Sequence, residues 1–313
     1  MKLRNAIYPA VIAIFGLFFA YKSGFFSSRK EYKEEEKIFV MDEYYWNEMI
    51  EKIKETALRY PGKTAIYIKD FNTKREWSYK ADSKFPSASL VKVPIMASVF
   101  SIAVRDGIDL NKEIPLTKKD RRAGSGTLKW AREGTRISLM EIIYKMITES
   151  DNTAAQMLID YFGMENLQKE FLRLGLLITN INESGMSLSS NPVKEENYTT
   201  AREISGLFEK IYEGRLINKN ASRTMMEILK RTKGKSRLRK GLPREWEIGH
   251  KTGLLRKACH DAGIVFSPGG DYLVIVLTAE VPSYKSGKDF ISKIAKITSA
   301  YYKNEPALAG GVR

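Results

Sequence analysis

The spacing of apolar and polar positions changes character repeatedly along the chain. Ala6–Tyr21 (AIYPAVIAIFGLFFAY) is apolar on every side, and Ser27–Lys37 (SSRKEYKEEEK) is charged with no apolar period. From Asp42 to Tyr60, Tyr45, Met49, Ile53 and Leu58 recur at roughly helical spacing, with Asp42 as a candidate cap. Thr64–Phe71 and Arg75–Ala81 read as two strands joined by the turn residues Asn72 and Thr73. Helical periods then dominate from Ser89 to about Gly214. They are clearest over Ser138–Thr148, Thr153–Phe162 and Thr199–Tyr212, with Thr199 or Thr200 as the last cap. Ile181–Tyr198, rich in Ser, Asn and Gly, reads as a long surface loop of the kind that carries function or moves. Strand signals return at Trp246–Leu255, His260–Phe266 and Asp271–Glu280, and Ser286–Tyr302 closes the chain as a helix. The pattern therefore predicts a sheet assembled from both ends of the chain, with a helical region inserted. A site is expected at the junction of the two parts.

The N-terminus assigns a compartment. Lys2 and Arg4 precede the apolar run, the layout of an export signal, and no small-x-small cleavage site follows. Residues 1–26 are read as an uncleaved membrane anchor with the body exported, the alternative being secretion after cleavage. Residues 27–41 are read as a linker, 42–303 as the catalytic domain (an α/β part at 42–84 and 215–303, an α part at 85–214), and 304–313 as a loose tail. The formal net charge of +15 is compatible with an anionic cell-wall polymer as partner. Lys118–Arg122 and the stretch 230–240 (KRTKGKSRLRK) read as ordinary exposed faces, and no nucleic-acid module accompanies them. The single cysteine, Cys259, excludes an internal disulfide, and no His/Cys spacing fits a metal. No cofactor is implied, and a monomer is expected.

Three short motifs carry chemistry. Ser89-Leu90-Val91-Lys92 puts a hydroxyl and an amine one helical turn apart, although a serine before an apolar run is also an ordinary helix cap. Ser150-Asp151-Asn152 follows a helix and would by itself serve as a cap for the next. Lys251-Thr252-Gly253 lies in a strand, where glycine marks a bulge or a close approach. Each has a bland explanation alone. In this order and these settings, S-x-x-K, S-D-N and K-T-G form the signature of penicillin-recognising serine enzymes. Only two histidines, His250 and His260, are present, and both read as packed or edge residues rather than the base of a Ser-His-Asp triad.

Over roughly Asp42–Tyr302 the chain resembles the class A β-lactamase family, and Gly124–Leu128 (GSGTL) resembles a stretch found in some members. The resemblance implies an α+β fold of the β-lactamase/D,D-peptidase type: a five-stranded antiparallel sheet with terminal helices and an inserted all-α domain. It implies Ser89 as nucleophile, Lys92 as base, Ser150 as proton relay and Lys251 as a catalytic cation. Asn152, Thr252 and Gly253 are implied to bind substrate, and the amides of Ser89 and Leu254 to form an oxyanion hole. The implied substrate is a β-lactam or a peptidoglycan peptide.

One feature of that family has no match. The E-x-x-L-N motif that activates the deacylating water is missing from the loop TNINESGMSLSSNPVKEENYTTARE. Glu183 is nearest by position, while Glu195 and Glu196 read as solvated charges. β-Lactam hydrolysis is the expectation from the resemblance. The altered loop makes a slowly deacylating penicillin-binding protein or D,D-carboxypeptidase its rival, with a silent wall-binding module as a third reading.

Overall fold

A computed structural model of the chain describes residues 43–189 and 191–303. The apolar N-terminal run, the charged segment, Asp42 and the tail from 304 lie outside the described residues. Two compact units are distinguished, 1–51 with 310–313 and 52–309. Of the first, only the helical residues 43–51 are described. The helix over 43–58 (α1) buries Ile53 and Ala57 in its second half.

The second unit is built on the expected five-stranded antiparallel sheet, in the order β2-β1-β9-β8-β7. The strands are β1 (Lys63–Asp70), β2 (Glu76–Tyr79), β7 (Glu247–Leu255), β8 (Ala258–Phe266) and β9 (Tyr272–Ala279). All eight residues of β9 are buried, because both faces of the central strand are covered. Side chains alternate across a strand. Leu273, Ile275, Leu277 and Ala279 thus enter the main core, while Tyr272 points to the opposite face and stacks on Tyr302, ring centroids 4.0 Å apart. Tyr302 belongs to the closing helix α9 (Tyr284–Lys303), which packs on β8 and β9.

The inserted helices are α2 (Lys92–Asp106), α3 (Leu139–Thr148), α4 (Asn152–Phe162), α5 (Met164–Arg173) and α6 (Ala201–Tyr212), with α7 (Lys219–Lys230) and the short α8 (Leu238–Gly241) following. Side-chain caps begin four of them. The Ser138, Asp151, Thr200 and Asn218 side chains accept the amides of Glu141, Ala154, Glu203 and Ala221. Two-residue pieces β3 (Phe85–Pro86) and β6 (Tyr198–Thr199) pair with each other, as do β4 (Glu113–Pro115) and β5 (Arg136–Ser138). One expectation fails here. The long helix begins at Lys92, not at Ser89, and Ser89 caps nothing; it lies in a 3-10 turn, Ala88–Val91. Leu90, Val91 and Val93 are buried and fix this turn in the core.

Candidate active site

Ser89 is presented by a segment held from both sides. The Ser87 amide donates to Asn197 O at 2.7 Å, and His260 Nε2 donates to Pro86 O at 2.7 Å. The Thr278 amide donates to His260 Nδ1 at 3.1 Å, so the ring proton sits on Nε2. Burial pulls the His260 pKa down to about 4, which keeps the imidazole neutral in this role. Ala88, directly before the half-buried Ser89, adopts a left-handed φ of 46°. Gly253 allows the approach: a Cβ there would lie 3.3 Å from Ala88 Cβ and 3.0 Å from His260 Cδ2. The glycine is a close approach rather than a bulge, and it brings Leu254, the strand residue after it, beside the Ser89 turn.

Lys92, Ser150, Asn152 and Lys251 converge. Lys92 Nζ donates to Ser150 O at 2.6 Å and to Asn152 Oδ1 at 2.7 Å, and lies 3.3 Å from Ser150 Oγ. Lys251 Nζ donates to the same Ser150 Oγ at 3.0 Å and to Thr252 O at 2.9 Å. Both lysines are buried. Desolvation, then the Lys251 charge, holds Lys92 well below the ordinary lysine range, and Asp151 opposes this. Ser150 has a left-handed φ of 55°, a strained position of the kind found at functional sites. Among the described residues no hydrogen bond joins the Ser89 hydroxyl to Lys92.

Asp151 fastens this turn to the GSGTL loop. Its Oδ2 accepts the Thr127 and Leu128 amides at 2.7 and 2.8 Å, and its Oδ1 accepts Ala154 N at 2.9 Å. Gly126 makes room, since a Cβ there would lie 2.1 Å from Asp151 Cγ. Asn152 Nδ2 donates to Ala123 O at 2.8 Å and its amide to Ser125 O at 3.1 Å. The loop thus orients the amide whose other end holds Lys92.

Arg237 completes the cationic side. Read from sequence as part of an exposed basic run, it is instead 6% exposed. Its Nε donates to Cys259 Sγ at 3.3 Å. Lys251 is lowered to about 7 by desolvation first and by Arg237 second, against Asp261. Charge runs are normally solvated, so nothing in the sequence marks Arg237; its burial is a tertiary effect.

Because Lys251 titrates near 7 when folded and 10.5 is its ordinary value, the unfolded chain binds more protons between those values. Lys251 therefore adds stability as pH rises through that window and withholds it at pH 7 and below. Lys251→Met should lose this increment, on the order of 2–4 kcal/mol between pH 7 and 10. Denaturant melts of both proteins at the two pH values measure it, and parallel slopes would contradict it.

The histidines are structural, as read. His250 Nδ1 and Asp261 Oδ1 lie 2.8 Å apart and are buried, and among the described residues no serine hydroxyl bonds to either ring.

The loop over 180–198 is held by amides. Asn182 N donates to Asn197 Oδ1 at 2.8 Å, Tyr198 N to Asn180 Oδ1 at 2.6 Å, and Asn180 Nδ2 to Glu196 O at 3.2 Å. Glu183 is exposed at the start of a 3-10 turn, Ser184–Met186, and Glu195 is exposed. Glu196 departs from its expected solvated state. Its carboxylate meets Arg256 Nε at 3.3 Å, with side chains only 12% and 6% exposed. Among the described residues no group of three or more His, Cys, Asp or Glu side chains is placed to hold a metal.

The model of the β-lactamase enzyme family matches residues 48–302 of this chain, from within α1 to the last turn of α9 and across every residue of the site described above. The chain belongs to that family. The β-lactamase of Streptomyces albus G is 28% identical over 70% of this chain and 73% of its own length. The VEB-1 β-lactamase of Pseudomonas aeruginosa is 26% identical over 81% and 90%. Among solved structures, that of PBP-A superposes with a TM-score of 0.75 at 25% identity, covering 82% of this chain and 96% of that one. A β-lactamase from Sphaerobacter thermophilus does so with 0.75 at 24%, covering 83% and 99%. The α+β fold is thus the β-lactamase/D,D-peptidase-like one, and the chain is a serine β-lactamase-like hydrolase.

Proposed function

We propose that Ser89 is acylated by β-lactams and by the terminal amide of peptidoglycan peptides, and that the acyl-enzyme is released slowly, as in a penicillin-binding protein or D,D-carboxypeptidase. One observation carries the slow step: among the described residues no loop carboxylate hydrogen-bonds to Lys92, Ser150 or Lys251. Asp151 is already spent on three backbone amides. Of the loop carboxylates, Glu183 and Glu195 face solvent and Glu196 is tied to Arg256. A deacylating water needs a base within hydrogen-bond reach.

The acylation half is well supplied. Neutral Lys92 takes the Ser89 Oγ proton as Oγ attacks the carbonyl carbon. The amides of Ser89 and Leu254 receive the developing oxyanion, the first lying in the opening turn of a helix where amides lack intrahelical partners. The C–N bond then breaks. Ser150 gives its hydroxyl proton to the leaving nitrogen and is reprotonated by the Lys92 ammonium. Lys251, Thr252 and Asn152 hold the substrate carboxylate and amide. A structure of a PBP-A variant carries a penicillin G acyl-enzyme, and it superposes on this chain with a TM-score of 0.75.

Rapid β-lactam hydrolysis is the second reading, favoured by relatives that are β-lactamases. Full-length protein mixed with a chromogenic cephalosporin, followed by absorbance and intact mass, separates the two. A burst followed by a lasting adduct on wild type and none on Ser89→Ala is the expected result. Sustained turnover without an adduct would overturn slow release and make Glu183 the residue to test as base.

A further inference from the structure

We propose that Trp130 and the cations around it form a binding surface for an anionic glycan strand, a polymer of sugar rings that carry carboxylates. The inference goes beyond the acylation reading and does not depend on it. By sequence, Lys118–Arg122 is an ordinary exposed face. The structure joins it to a second basic stretch and to an aromatic ring. Six of the fifteen residues from Lys118 to Arg132 are Lys or Arg. The one acid among them, Asp120, is buried, and its Oδ2 accepts the Thr117 amide and hydroxyl at 2.6 Å each. Trp130 ends the 3-10 turn Leu128–Trp130 and is 80% exposed.

A tryptophan left in water forgoes the burial of a large apolar ring, and such rings are enriched where a partner covers them. This one is also held in place. Arg121 Nη2 donates to Ala131 O at 2.7 Å and its Nη1 to Lys129 O, so one guanidinium clamps the backbone on both sides of Trp130. Asp151 holds the Thr127 and Leu128 amides at the start of the turn, and the Leu128 side chain is buried. Lys129 Nζ lies over the indole, 5.3 Å from its centroid. A ring fixed before its partner arrives lowers the ordering cost of binding. The turn continues the GSGTL loop that orients Asn152, so a strand held here is tethered beside that loop.

The positive charge is left uncompensated. Arg121, Arg122 and Lys129 donate to backbone carbonyls, which carry no net charge. Among the described residues the only carboxylate in ion-pair range of the six cations is Glu133, 3.8 Å from Lys118, and both side chains are exposed. Such a pair contributes little. Polymer carboxylates complement this surface. A pyranose ring offers the indole a flat C–H face. An anionic bilayer fits less well, because a segment lying in it needs an apolar face. Trp130 is the one exposed large apolar side chain between Val104 and Tyr144.

The test titrates full-length protein with peptide-free glycan strands of peptidoglycan, which carry carboxylates on alternate sugars and offer Ser89 no peptide. Poly-glutamate of matched charge is the sugar-free control. Wild type is expected to bind the glycan strands. Trp130→Ala should weaken that binding about tenfold, the scale of one lost stacked ring, and change poly-glutamate binding by less than about twofold. Trp130→Tyr should retain most of the affinity. Lys118→Gln combined with Lys119→Gln should weaken both polymers alike. Thermal melts of these exposed-site variants should match wild type. An equal loss for both polymers in Trp130→Ala, or no loss for the glycan, overturns the proposal. So does a failure of wild type to bind the strands, whatever Ser89 does with β-lactams. Partition onto phosphatidylglycerol vesicles that falls in Trp130→Ala while glycan binding holds overturns it in favour of a lipid surface.

Discussion

Lys92→Met should slow acylation of Ser89 by a factor of about 10³, within the range a positioned general base supplies. The geometry shows why this amine suits the task. A neutral amine has two hydrogens, and Ser150 O at 2.6 Å and Asn152 Oδ1 at 2.7 Å are two acceptors that can only accept. Both hydrogens are thereby spoken for, and the lone pair is left to take a proton. Burial and the Lys251 charge hold the amine neutral at a pH where an exposed lysine is charged. Acylation should fall on the acid side as Lys92 gains its proton, and that limb should vanish in Lys92→Met. Methionine is close to lysine in volume and carries no buried charge, so stability should hold or rise. Single-turnover acylation against pH, with a thermal melt of the same samples, separates lost chemistry from lost structure. A variant that acylates within about tenfold of wild type would remove Lys92 from the base role.

How far the sequence foretold this site depends on the kind of contact. The sheet was legible because β1 and β9 are short, largely apolar runs between turn residues, and β7 and β8 carry strand-length segments separated by short turns. The convergence of Lys92, Ser150, Asn152 and Lys251 was legible because three ordered motifs are a stronger signal than any one. Backbone that departs from its local rule was not. Ser89 reads as a helix cap, yet it sits in a 3-10 turn beside a left-handed Ala88, a conformation set by the core on one side and by Asn197 and His260 on the other. Burial of charge was equally hidden. Arg237, Arg256 and Glu196 look like surface residues, and only the folded chain brings Arg237 against Cys259 and Arg256 against Glu196. Such pairs join segments distant in sequence, beyond the range of any local pattern.

Asp151→Ala should destabilise the protein by about 3–5 kcal/mol, the cost of breaking a buried, hydrogen-bonded charge arrangement. Asp151 is fully buried, and its two oxygens satisfy three backbone amides, those of Thr127, Leu128 and Ala154. Alanine leaves those donors without their partner, each at a cost of about 1–3 kcal/mol where water cannot reach. Asparagine repairs little, because its NH2 must face an amide donor on one side or the other. The loss should fall on the site as well as on the fold. The loop released from Asp151 is the one whose Ala123 and Ser125 carbonyls orient Asn152, and Asn152 holds Lys92. Asp151 also raises the Lys92 pKa, so its removal favours the neutral amine. Any fall in acylation then comes from lost geometry, since the base itself becomes easier to deprotonate. The acid limb of the pH profile should move to lower pH in Asp151→Ala even as the plateau drops. Denaturant melts and acylation profiles on the same variant read both effects. A loss below about 1 kcal/mol would mean that water replaces the carboxylate at those three amides.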